Sequence, residues 1–158
     1  QVKQRNNLHV LQAKSRRDFL PYAGGVFDVL NKAYAPLYGV VELNSGQVQA
    51  YTDQYFGFLH KAFTKIILNE NDEVIAFFIS MPSLSKALQK AKGRIVPFGF
   101  IYILKALRKP MYLDFYLTGV RPDYQNKGVH SLLITEMFKS VKEYGIISCE
   151  TSGELETN

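Results

Sequence analysis

The residues from Met111 to Thr151 constrain the fold more than any other stretch, because they spell a strand, a turn, a helix and a second strand in succession. Met111 to Val120 alternates as a strand does, with Tyr112, Asp114, Tyr116 and Thr118 on one face and Leu113, Phe115 and Leu117 on the other. A polar turn, Arg121 to Lys127, follows. From about Gly128 to Tyr144 the apolar spacing is helical: Val129, Leu133, Met137, Val141 and Tyr144 form one stripe, and Gly145 is its C-cap. Ile146 to Thr151 reads as a final strand. Such a unit implies locally parallel pairing with a right-handed crossover. The fold class is therefore α/β, with an α+β type of mixed sheet carrying helices on its faces.

The upstream sequence supplies the rest of that sheet. Leu8 to Ala13 alternates as a short first strand. From Tyr22 the spacing of Val26, Phe27, Leu30, Ala33 and Tyr34 predicts a helix that Pro36 stops. Asn44 followed three residues later by Gln47 is a capping box opening a second helix, with Val48, Tyr51, Tyr55 and Leu59 along one face. Phe63 to Leu68 and Val74 to Met81 form a hairpin across Asn69-Glu70-Asn71-Asp72. The second of these runs is apolar on both faces, as a central strand would be. Pro82 ends it, Ser83 suits an N-cap, and Leu84 to Lys92 reads as a short helix closed by Gly93. Ile95 to Leu107 is apolar but carries no period that assigns it. The order is strand, two helices, hairpin, insertion, long strand, helix, strand.

All 158 residues read as one domain. With 47% hydrophobic residues the chain can bury a core, so disorder is excluded as the default. A single cysteine, Cys149, forms no internal disulfide, which favours a reducing, cytoplasmic setting. The longest apolar run, Ile95 to Leu104, falls short of the about 20 residues a membrane span needs. No N-terminal signal pattern is present. The chain opens on Gln1 rather than Met and reads as a piece of a longer polypeptide, with a second domain as a possible pairing partner. A net charge of +5 is modest and scattered, without the basic stripe and stacking aromatics of a nucleic-acid binder. No metal-ligand spacing involves the three histidines or Cys149.

Chemistry concentrates in Leu117-Thr118-Gly119-Val120-Arg121-Pro122-Asp123-Tyr124-Gln125-Asn126-Lys127-Gly128-Val129-His130. A strand runs into a polar turn, and a helix opens at a glycine. The first N–H groups of a helix lack internal partners and sit at the positive end of its dipole, so together they make an anion site. Gly128 removes a side chain where a phosphate would approach the backbone. Gly119, inside a good strand, suggests a bulge or a ligand lying against the backbone. The bland alternative is an ordinary strand-to-helix connection.

Gln125-x-x-Gly128 after Gly119-Val120-Arg121-Pro122 resembles the Q/R-x-x-G-x-G/A signature of the GNAT superfamily of acyl-CoA-dependent N-acyltransferases. The order of elements is similar over essentially the whole chain. The resemblance implies that the backbone of Gln125, Asn126, Lys127, Gly128, Val129 and His130 binds the pyrophosphate of acetyl-CoA or another acyl-CoA. It implies that Leu117, Thr118, Gly119 and Val120 offer hydrogen bonds to the pantetheine arm and thioester. It also implies direct attack by an amine acceptor, a small molecule or peptide, on the thioester, with the oxyanion held near Gly119 or Val120. The family's last helix and two strands would lie beyond Asn158, as would its tyrosine acid, and Asn158 itself would face the cofactor.

Within that resemblance the family's glutamate base, eleven residues before the motif's first position, falls on Asp114. Asp is one methylene shorter, which favours a water relay. Tyr112 and Tyr116 flank it and, with Tyr38, would line the acceptor pocket. His130 replaces the motif's second small residue and either contacts the phosphates or points aside. The rival reading is a non-catalytic GNAT-like module that binds a ligand or a partner domain. Ser83-Leu84-Ser85-Lys86 matches an S-x-x-K pattern, but no S-D-N or K-T-G follows it.

Overall fold

The computed structural model describes residues 7–94, 96 and 98–151. Five strands form one sheet: β1 (His9–Val10), β2 (Thr64–Leu68), β3 (Val74–Pro82), β4 (Tyr112–Val120) and β5 (Ser148–Thr151), in spatial order β1-β2-β3-β4-β5. All neighbours are antiparallel except β4 and β5, which run parallel across the crossover helix. The helices are α1 (Ala23–Tyr34), α2 (Ser45–Tyr55), α3 (Ser85–Lys90), α4 (Gly99–Arg108) and α5 (Val129–Glu143).

Two apolar layers sandwich the sheet. On one face α1 and the segment around Phe56 cover Ile66, Leu68, Phe77 and Ile79, with Phe19, Val26 and Val29 completing the layer. On the other, Val129, Leu133 and Met137 of α5 cover Ile67, Ile75, Phe78 and Leu113. β3 sits mid-sheet and is buried along almost its whole length, as its two-sided apolar sequence requires.

Several local signals hold in detail. Asn44 accepts from the Gln47 N–H and the Gln47 side chain accepts from the Asn44 N–H, both at 3.0 Å. α1 ends just before Pro36, and Gly145 closes α5 at φ +65° while Ile146 N–H reaches back to the Val141 carbonyl.

Other expectations are corrected. β1 holds two residues, not six, although Leu11 N–H still reaches Ile66. A 3-10 turn, Arg16–Tyr22, precedes α1, and β5 starts at Ser148, two residues later than expected. α2 stops at Tyr55, so Leu59 packs from beyond it and Tyr55 is exposed. Ser83 does not cap α3: Leu84 holds that position, and its carbonyl accepts the first helical bond, from the Leu88 N–H. The Ser83 hydroxyl turns to the Ser85 hydroxyl, while the Ser83 N–H extends the sheet by donating to the Tyr112 carbonyl. The unassigned apolar stretch contains α4, a helix rather than a strand. Tyr38 lies past α1 in a turn.

The consequential correction concerns β4. Ile79 pairs with Leu117 and Ser80 with Phe115, which leaves Tyr116 as an extra, bulged residue. Tyr112 and Asp114 therefore do not share a face with Thr118. Before the bulge the even positions lie on the α1 side; after it the odd positions Leu117 and Gly119 do. Gly119 is not the bulge. It is a glycine because a Cβ there would stand 2.8 Å from the Phe77 ring and 3.5 Å from Val29.

Candidate functional site

The end of α1, the C-terminal part of β4 and the turn that opens α5 enclose a cleft of about 560 Å³. Ala33 and Tyr34 contribute from α1, Thr118, Gly119 and Val120 from β4, and Tyr124, Gln125, Asn126, Gly128, Val129, His130 and Ser131 from the turn and first helical residues. The Tyr34 hydroxyl donates to the Thr118 carbonyl at 2.8 Å and fixes the α1 wall to the β4 wall.

Side chains hold the turn in shape. Pro122–Tyr124 make a 3-10 turn, which suits a proline at its first position. The Arg121 N–H donates to the Ile75 carbonyl at 2.8 Å. Its guanidinium grips Asp123 through two bonds of 2.7 and 2.9 Å and reaches Glu73 at 3.5 Å. These bonds hold the Asp123 carboxyl below the usual carboxylate range and raise Arg121 further. The Tyr124 ring lies beneath both Arg121 and Lys127, at 4.9 and 5.0 Å. The Gln125 amide donates to the Val120 carbonyl at 3.3 Å and ties the turn back to the strand.

This shape exposes a series of donors. The Gln125 N–H is occupied by the Pro122 carbonyl at 3.2 Å, and the Leu132 N–H begins the helical pattern by donating to Gly128. Between them, the backbone N–H groups of residues 126–131 have no acceptor among the described residues. Asn126 at φ +58° and Gly128 at φ +77° both take left-handed conformations, which asparagine tolerates and glycine adopts without strain. Alternation of right- and left-handed backbone turns successive N–H groups inward and builds a concave anion site. The positive end of the α5 dipole and Lys127 add to it.

The remaining site candidates fall elsewhere. Leu117 and Lys127 adjoin the cleft without lining it. Asp114 lies four residues below Thr118 on β4, about 13 Å along the strand. It pairs in register with Met81 on one side and Glu150 on the other, so two acidic residues are neighbours across the strands there. Tyr112 packs beneath the Lys86 ammonium at 3.6 Å. Tyr116 is 54% exposed at the bulge, and Tyr38 is 98% exposed and lines no part of the cleft. Asn158 lies outside the described residues.

Sequence reasoning missed Ala33, Tyr124 and Ser131 as cleft residues, and Glu150 as the neighbour of Asp114. Ser131 was accessible by counting three residues into the helix. Tyr124 directly precedes the motif's first residue, whereas Ala33 and Glu150 come from distant segments and have no local signature.

Among the described residues, β5 pairs with β4 only as far as Phe115. From Tyr116 onward that edge of β4 has no described partner strand.

No family model matches the sequence, and no curated protein matches it. Solved structures do resemble the fold. One is a GNAT family acetyltransferase from Brucella melitensis in complex with acetyl-CoA, at 14% identity over 96% of this chain and 79% of that one, TM-score 0.56. Another is an aminoglycoside acetyltransferase from an uncultured soil metagenomic sample in complex with sisomicin, at 15% identity over 96% of this chain and 80% of that one, TM-score 0.57. A third is the Paenibacillus lautus diaminobutyrate acetyltransferase in complex with its substrate and coenzyme A, at 15% identity over 92% and 65%, TM-score 0.52. The chain has the GNAT acetyltransferase fold.

Proposed function

We propose that this chain is an N-acyltransferase that takes an acetyl or other acyl group from acyl-CoA and passes it to an amine by direct attack. The observation that carries this reading is the run of unpartnered N–H groups from 126 to 131, aimed from a left-handed turn at the start of a 15-residue helix. A pyrophosphate fits that donor set, and the edge of β4 from Leu117 to Val120, which has no partner strand among the described residues, fits the amide-bearing pantetheine arm by strand addition. Acyl-CoA supplies an activated thioester. The chain supplies its placement, the exclusion of water and a route for the amine's proton.

Asp114 is our candidate for that route, acting through a water, with Tyr112 and Tyr116 beside it on the acceptor's approach. His130 lines the cleft and stands within the phosphate cradle, where either its backbone N–H or its imidazole would donate. The acceptor is a small-molecule or peptide amine.

Calorimetric titration with acetyl-CoA tests the reading. Binding to the native chain that weakens at least tenfold in Gly128→Val, and by far less in the exposed control Tyr38→Ala, supports it. A folded chain with no affinity for acetyl-CoA or CoA overturns it.

A further inference from the structure

The insertion between β3 and β4 has a charge and surface unlike the rest of the molecule. No acidic residue occurs between Glu73 and Asp114, while Lys86, Lys90, Lys92, Arg94, Lys105, Arg108 and Lys109 all do. Those seven cations, out of 19 in the chain, leave the remaining sequence with a net charge of −2 against +5 for the whole. The net excess of positive charge thus lies in this one insertion.

The same appendage is apolar outside. α4 packs mainly on α3 and on no other element to a comparable extent. Phe100, Leu104 and Leu107 follow one another at the spacing of a single helical face, and each is 44–45% exposed. Ile101 beside them is half exposed, and Phe98 at the helix entrance is 70% exposed. Lys105 and Arg108 flank this stripe, with alkyl stems long enough to lie along apolar surface while their charges reach outward.

We infer that α4 seats the protein on an anionic lipid surface. Such a surface offers what both halves of the patch need: a diffuse negative potential for Lys105, Arg108 and the insertion's net positive charge, and an apolar layer that receives Phe, Leu and Ile without matched pockets. At ten residues α4 is about 15 Å long, and no helix among the described residues is long and apolar enough to cross a bilayer. It would therefore lie in the interface plane, with the sheet held above it.

Vesicle co-sedimentation of the 158-residue chain tests this, using phosphatidylcholine vesicles with and without 30% phosphatidylserine at low and at physiological salt. Binding should require phosphatidylserine and weaken with salt. Lys105→Glu with Arg108→Glu should lower partitioning by at least about 25-fold, at roughly fivefold per cation removed. Leu104→Ser with Leu107→Ser should abolish it at unchanged charge, and because both side chains are already half exposed the variant should keep its circular dichroism spectrum. No binding to anionic vesicles by the folded chain would give the face to a protein partner and overturn the proposal. So would binding that survives the serine variant, which marks charge adsorption alone. Light scattering that shows a dimer in the native chain and a monomer in the serine variant would assign the face to a second copy and likewise overturn it.

Discussion

The Tyr34 hydroxyl donates a 2.8 Å hydrogen bond to the carbonyl of Thr118, 84 residues away, and so joins the last turn of α1 to the strand that forms the opposite wall of the cleft. Because the acceptor is a backbone carbonyl, the bond fixes position rather than charge. Tyr34→Phe should cost about 1 kcal/mol. For a chain of this length the melting temperature should fall by roughly 2–4 °C. Thermal unfolding of the two proteins checks this; equal melting temperatures would show that the bond contributes nothing.

Gly119 is set by packing. The Phe77 ring, fully buried, lies so close that a methyl group would have to displace it. Gly119→Ala should destabilise the chain by about 1–3 kcal/mol. In a Phe77→Leu background the same substitution should cost measurably less, since the obstructing ring atoms are gone. Urea unfolding of the four proteins of the cycle gives the coupling. Additive losses would mean that the strain lies elsewhere.

Backbone conformation sets Gly128 and Asn126. At φ +77°, Gly128→Ala should cost about 1 kcal/mol from left-handed strain alone. Asn126→Gly, at φ +58°, should be neutral or slightly stabilising. Comparing the denaturation midpoints of the two variants separates conformational strain from a general sensitivity of the turn.

On the proposed reaction, Asp114 and Glu150 are adjacent in register but should not be equivalent. Asp114→Asn should lower kcat on the order of 10²-fold and flatten the acidic limb of the pH–rate profile. Glu150→Gln should leave that limb in place. A profile unchanged in Asp114→Asn removes Asp114 as the base.

His60 should make stability depend on pH. Partial burial, reinforced by the charges of Lys61 and Lys65, pushes its pKa below the ordinary value of 6.5. Its ring stacks on Phe63 at 4.6 Å, and its Nδ1 accepts from the Ala62 N–H at 3.3 Å. Folding therefore favours the neutral imidazole. Its contribution is fully present above pH 6.5 and is lost as pH falls through the lower folded value. The melting temperature should drop across that window in the native chain, and the slope should shrink in His60→Phe.

Local chemistry was what the sequence displayed best. Asn44 and Gln47 lie three residues apart, and the capping box depends on nothing beyond them. The crossover unit from β4 to β5 was likewise legible, because period and glycine placement agreed along it. The bulge was not. Tyr116 and Thr118 suit either face of a sheet, so their alternation reads equally well in a register that the pairing with β3 does not adopt. Ser83 had the chemistry of a cap, yet the helix starts one residue later, with the Leu84 carbonyl accepting its first bond while Ser83 still belongs to the sheet. α4 was hidden because an apolar run without polar interruptions fits a strand and a helix alike. In the cleft, the turn's donors could be counted from the chain, whereas the opposing wall at Ala33 and Tyr34 exists only through tertiary contact.

Tyr116 is in one sense a removable residue. With it deleted, Leu113, Asp114 and Phe115 would keep their present partners on β3, and so would Leu117, Thr118, Gly119 and Val120. No side chain would change sides. What would disappear is the bend that a bulge imparts, at the point where β4 parts from its described pairing with β5. The curvature of the cleft's floor is thus a module distinct from the residues that pave it, and single-residue deletion can switch it off while leaving the paving in order.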